Sequence, residues 1–146
     1  AGTTTMIVSN ALHPTPEQAM AFFAADDGAP MCMVNLLKFR DKADYADGSE
    51  PELSGREAYA RYAAGVTACL AAVGGSVRFS GAVTGLLLGE VEELWDMVAI
   101  AEYPSRKAML AMVQSPEYQA ITRHRDAGLA GQLNICTRAG AGTAGA

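Results

Sequence analysis

His124 and Arg125 are the strongest acid–base and anion-binding pair in the sequence. An imidazole titrates near neutrality, and a guanidinium can grip a carboxylate with two parallel N–H groups. On a helix, adjacent residues point about 100° apart, so the pair fits equally well one buried and one solvated side chain. Glu102 is the carboxylate best suited to act as a general base if desolvated. The plainer reading is an ion pair with Arg78 or Lys38, because structural ion pairs are commoner than catalytic carboxylates. Asp96 shares a strand face with Glu102, but six residues of strand separate the two by about 20 Å, too far to share a proton.

Asn35 interrupts an otherwise apolar run, MCMVNLLKF over 31–39. A buried amide has to be hydrogen-bonded. Asn35 therefore either ties down backbone at a bend or meets a ligand as an oxyanion donor. Tyr59 and Tyr62 fall on the apolar stripe of a helix, where a tyrosine is ordinarily a core residue with one hydroxyl bond. Tyr62 also suits a pocket wall. Trp95, the one tryptophan, reads as a core or dimer anchor. His13 is the only other histidine, so a histidine-based metal centre is not expected. No Ser-His-Asp order, phosphate loop or GxGxxG is present, and no cofactor is expected. Cys32, Cys69 and Cys136 sit in apolar runs with no CxxC spacing and read as reduced core residues.

The elements that must position these residues are legible from period and punctuation. Thr15, Pro16 and Gln18 make a helix start, with helix to Ala25. The run 31–39 reads as a buried strand. Arg40 to Leu53 is polar and long for a connection, which implies a functional flap or a mobile segment. Ser54 and Glu57 form a second capping box. Tyr59, Tyr62, Ala63, Val66, Cys69, Leu70 and Val73 then mark a helix ending at Gly74-Gly75. Val77–Leu88 reads as a long strand bent at Gly81 and Gly85, and Trp95–Tyr103 as the next. A helix starts at Pro104-Ser105, breaks at Ser115-Pro116-Glu117 and resumes to about Asp126. Leu133–Thr137 reads as the last strand. The Ala/Gly/Thr tail from 139 to 146 reads as disordered.

After the leading helix the order is β-α-β-β-α-β. Two right-handed crossovers then give an α+β sandwich, a four-stranded antiparallel sheet with helices on one face. Both faces of the first and third strands are largely apolar, so the bare face needs cover. A second copy packed sheet to sheet, with two-fold symmetry, is the simplest.

The chain has 146 residues, half of them hydrophobic and 18% charged, enough for one core. A net charge of −5 argues against nucleic acid as a partner. No apolar run reaches membrane-spanning length and no signal peptide opens the chain, so a cytoplasmic location is expected.

Several runs resemble the domain-of-unknown-function family 1330 (DUF1330): Glu102-Tyr103-Pro104-Ser105 with Ala108, and Ser115-Pro116-Glu117-Tyr118-Gln119. Met33–Phe39, Trp95-Asp96 and His124–Leu129 resemble one branch of it. The resemblance spans 31–138, and the expected organisation is one domain over 1–138 followed by the tail. It implies a ferredoxin-like protomer of the dimeric α/β-barrel superfamily, whose members include cofactor-free monooxygenases, isomerases, haem enzymes and stress proteins. Fold alone therefore assigns no activity. Two functions stay open. One is a metal-free, nucleotide-free enzyme acting on an aromatic or polyketide-like carbonyl compound or acid, by oxygenation or proton-transfer isomerisation. Its pocket would be lined by Asn35, Tyr62, Arg78 and Arg125, with Glu102 and His124 catalytic. The other is a non-catalytic dimer that binds a small ligand or scaffolds.

Overall fold

The computed structural model describes residues 6–139. The expected disorder of the tail concerns residues that, from 140 on, lie outside those described. The elements run α1 (Pro16–Ala24), β1 (Met31–Phe39), α2 (Gly55–Ala72), β2 (Ser76–Ala82), β3 (Met97–Tyr103), α3 (Arg106–Val113), α4 (Pro116–Gly128) and β4 (Leu129–Thr137). The sheet order is β2-β3-β1-β4 with every neighbouring pair antiparallel. This is the split-βαβ, ferredoxin-like arrangement. Both expected capping boxes form, Thr15 with Gln18 and Ser54 with Glu57, so two helix starts are fixed by their own side chains.

Three strand boundaries differ from the sequence expectation. β2 ends at Ala82 rather than Leu88. Leu86, Leu87 and Leu88 are exposed; an apolar run without a partner strand does not extend a sheet. The irregularity in β2 lies between Val77 and Phe79 rather than at the glycines. β3 starts at Met97, although Asp96 still bonds Leu37 and Val83 through its backbone. β4 begins four residues earlier than expected, directly after α4.

The register separates two faces. Met31, Met33, Asn35 and Leu37 of β1 pair with Tyr103, Ala101, Ala99 and Met97 of β3, and these face the helices. Leu37, Met112 and Leu129 are the largest fully buried side chains. The alternate residues, Val34, Leu36, Val98, Ile100, Leu133 and Ile135, form the outer face together with Phe79.

The long 40–53 connection is neither a free flap nor loose. Ala43 and Tyr45 are buried against Ala58 and Ala127. Its backbone is tied by Arg40 N–H to Gly128 O (2.8 Å), Asp44 N–H to Ala127 O (2.9 Å) and Ala43 N–H to Leu53 O (2.8 Å). Ordering the segment is offset by these bonds and by the burial of one tyrosine.

Candidate functional site

A cavity of about 1100 Å³ lies between the helix-facing side of the sheet and the helices. Met33, Asn35, Met97, Ala99 and Ala101 form its floor. Tyr59, Tyr62, Val66 and Leu70 of α2, Met109 and Met112 of α3, and Tyr118 and Arg125 of α4 form its walls. The N-terminal segment and α1 border it: Leu12, His13, Gln18, Phe22 and Phe23 all line it. That segment is held by Ala11, which exchanges two backbone hydrogen bonds with Gln132 (3.1 and 3.0 Å). The Trp95 indole N–H, donating to Asn10 Oδ1 at 2.8 Å, and Arg106, stacked 4.3 Å over Phe22, hold it further.

Several of the polar groups are joined in a hydrogen-bonded chain. Asn35 donates through Nδ2 to the carbonyls of Ala99 (3.1 Å) and Met33 (3.3 Å). Gln132, its near neighbour on β4, donates to Asn35 Oδ1 at 2.6 Å. Arg125 then donates to Gln132 Oε1 at 2.7 Å and to Asp126 Oδ1 at 3.2 Å. Asp126 also meets His13 Nε2 at 3.5 Å, at a more exposed position. Asn35 therefore fulfils its backbone-tying role and lines the cavity at once. The Tyr62 and Tyr118 hydroxyls bond each other at 3.0 Å. Burial, followed by the neighbouring Tyr118, pushes the Tyr62 phenol far above its ordinary value. Burial likewise pushes Tyr59 up to about 12, partly opposed by the Arg125 charge. Both are neutral at physiological pH and face the cavity as phenols.

Of the residues singled out in the sequence, Asn35, Tyr62 and Arg125 converge on this cavity. Arg78 and Glu102 do not: they pair with each other, both partly exposed, across β2 and β3, where the register puts Glu102 on the outer face. The expected pocket is corrected in that respect, and the physical reason is strand alternation, which turns Glu102 away from Ala101 and Tyr103. His124 is also absent from the cavity wall. Its Nδ1 meets the Tyr45 hydroxyl at 2.7 Å, edge-on to that ring, on the side of α4 that carries the 40–53 connection. His124 and Arg125 thus serve different surfaces, as their helical spacing allowed. Asp96 accepts from the Phe39 N–H at 2.8 Å and lies 3.6 Å from Lys38.

Four contributors were missed in the sequence: His13, Tyr118, Asp126 and Gln132. Gln132 lay one residue outside the expected strand, and β4's true start would have placed it beside Asn35. Tyr118 was legible only as part of a family motif. Among the described residues no group of three or more potential metal ligands comes together.

Comparison with known proteins assigns no activity. The model of the family described as "Domain of unknown function (DUF1330)" matches residues 48–138. The crystal structure of the RPA0582 protein of Rhodopseudomonas palustris, a protein of unknown function, is 34% identical. It aligns over 88% of this chain and 96% of that one with a TM-score of 0.80. The methylated form of RPA0582 aligns at the same 34% identity over 93% and 100%, with a TM-score of 0.84. No curated protein matches the chain significantly. The family match covers more than half of the chain, and the similarity to RPA0582 extends it over nearly the whole length: the protein is a member of the DUF1330 family.

Proposed function

We propose that this protein binds a small, largely apolar organic molecule in the cavity between sheet and helices, and that it does so as a homodimer joined through the outer sheet face. The observation that carries the first part is the cavity itself. Protein interiors are close-packed, and a partly open cavity of about 1100 Å³ lined by methionines and aromatic rings, with a hydrogen-bonded set of polar groups in its wall, has the form of a ligand site. The apolar outer face, with Phe79 54% and Ile135 46% exposed, supports the second part.

Binding is a better-supported reading than turnover. The two residues proposed for proton transfer, Glu102 and His124, do not line the cavity. Tyr59 and Tyr62, which do, are held protonated near neutrality by burial and so cannot serve as general bases there. An aromatic or polyketide-like skeleton fits the walls.

The neutral dye N-phenyl-1-naphthylamine, which fluoresces in apolar surroundings, tests this directly. Saturable fluorescence with the wild-type protein is expected. Ala63→Trp, which fills the cavity from α2, should weaken it about tenfold while circular dichroism remains that of the folded protein. Absence of saturable uptake by the wild type would remove the reading.

A further inference from the structure

Along the hydrogen-bonded chain in the cavity wall, donors remain where the acceptors are taken. Asn35 Oδ1 is taken by Gln132, and Gln132 Oε1 is taken by Arg125. The Tyr62 hydroxyl is engaged with Tyr118. The Tyr59 hydroxyl has no hydrogen-bond partner among the described residues, although the side chain lines the cavity and the residue is only 9% exposed. Its ring is wedged between Phe39 and Tyr62, each centroid 5.3 Å away, which fixes the direction of its hydroxyl. That hydroxyl is not fully sealed, so water from the cavity can reach it, and a ligand oxygen can replace that water. Arg125, 16% exposed, uses one nitrogen on Gln132 and another on Asp126. A guanidinium has five N–H groups, so donors remain to it. Asp126, its counter-charge, is 42% exposed and shared with His13, and is therefore partly satisfied by water.

Around Tyr59 and Arg125 the wall thus offers donors and one largely buried positive group, and the amide oxygens of the adjoining Asn35–Gln132 pair are already occupied. We propose that Tyr59 and Arg125 form a carboxylate site, and that the ligand is an apolar monocarboxylic acid. Its two oxygens take the phenol O–H and the guanidinium N–H, and its body lies over Met33, Met109 and Met112. This rests on the cavity reading above and adds the chemical class of the ligand. The high Tyr59 pKa, about 12, agrees with a phenol that donates.

The test compares decanoate with 1-decanol, equal in chain length, as displacers of N-phenyl-1-naphthylamine. Decanoate should displace the dye at a concentration about tenfold lower or less. Tyr59→Phe and Arg125→Met should each abolish that preference, read within each variant as the ratio of the decanoate to the decanol concentration that displaces half of the bound dye. Tyr59→Phe removes a hydroxyl with no protein partner, so the ligand-free variant should unfold at the wild-type temperature or above; this separates a ligand contact from a structural one. If Arg125→Met fails to fold, Tyr59→Phe decides alone. Equal displacement of a bound dye by acid and alcohol overturns the carboxylate site and leaves the cavity reading intact. Failure of the dye to bind defeats the cavity reading instead.

Discussion

At the scale of single residues, His124 has a consequence for stability. Burial, followed by the charges of Arg123 and Arg61, holds its pKa below the ordinary 6.5, with Glu50 opposing. The unfolded chain therefore binds a proton more readily than the folded one. The stability contributed by the neutral imidazole is full above the unfolded value and is lost as pH falls through it toward the depressed folded value. The thermal midpoint should accordingly drop between about pH 7 and pH 5, and His124→Gln should flatten that slope in a differential-scanning titration. An unchanged slope in the variant would assign the effect to another group. Such an outcome was hard to foresee because the hydroxyl that meets His124 belongs to Tyr45, inside a stretch that reads as a polar loop. Asn35 was different: an amide within an apolar strand announces an obligation to find partners. Which partners it found depended on Gln132, far away in sequence, and no local pattern carries that.

At the scale of elements, α2 and α4 meet through two glycines. A Cβ on Gly128 would lie 2.5 Å from Gly55 O and 2.8 Å from Tyr59 N, and one on Gly55 would lie 2.1 Å from Arg40 O. These are backbone atoms and cannot move aside alone. In the fold the value of Gly128 is space, and α4 passes into β4 without a left-handed turn. Gly128→Ala should therefore destabilise by roughly 1–3 kcal/mol or more through overpacking, measurable as a lower urea midpoint. A midpoint unchanged from wild type would show that the two helices separate easily. Helix starts were legible because capping is local chemistry: Thr15 with Gln18 and Ser54 with Glu57 settle it within four residues. Strand ends were less so, because Leu86–Leu88 have the composition of a strand and lack a neighbour, whereas Leu129–Gly131 have a neighbour and an unremarkable composition.

At the scale of the whole molecule, the proposed homodimer depends on the outer face that Val34, Leu36, Phe79, Val98, Ile100 and Ile135 make. Alternation along β1 and β3 made this face legible, since both parities of each strand are apolar. Light scattering at micromolar concentration should give twice the mass of one chain, and Phe79→Glu combined with Ile135→Glu should reduce it to one. A wild-type monomer would end the proposal. The cavity was not legible in the same way. Its residues look like ordinary core, and only the spacing of sheet and helices leaves the room unfilled.

The short bridge between Ala11 and Gln132 also bears on how copies of this chain could join. The end strands of a sheet carry unpaired N–H and C=O groups along their rims, which can template another chain's backbone. β4 is one such strand, and the N-terminal segment occupies its rim midway by pairing there itself. β2 is the other; it is seven residues long and kinked at Arg78. Each rim is thus guarded by a different means, one by a piece of the same chain and one by an irregular strand. Growth of one sheet into the next is impeded on both sides, which leaves the flat of the sheet, and not its borders, as the surface on which a second copy can settle.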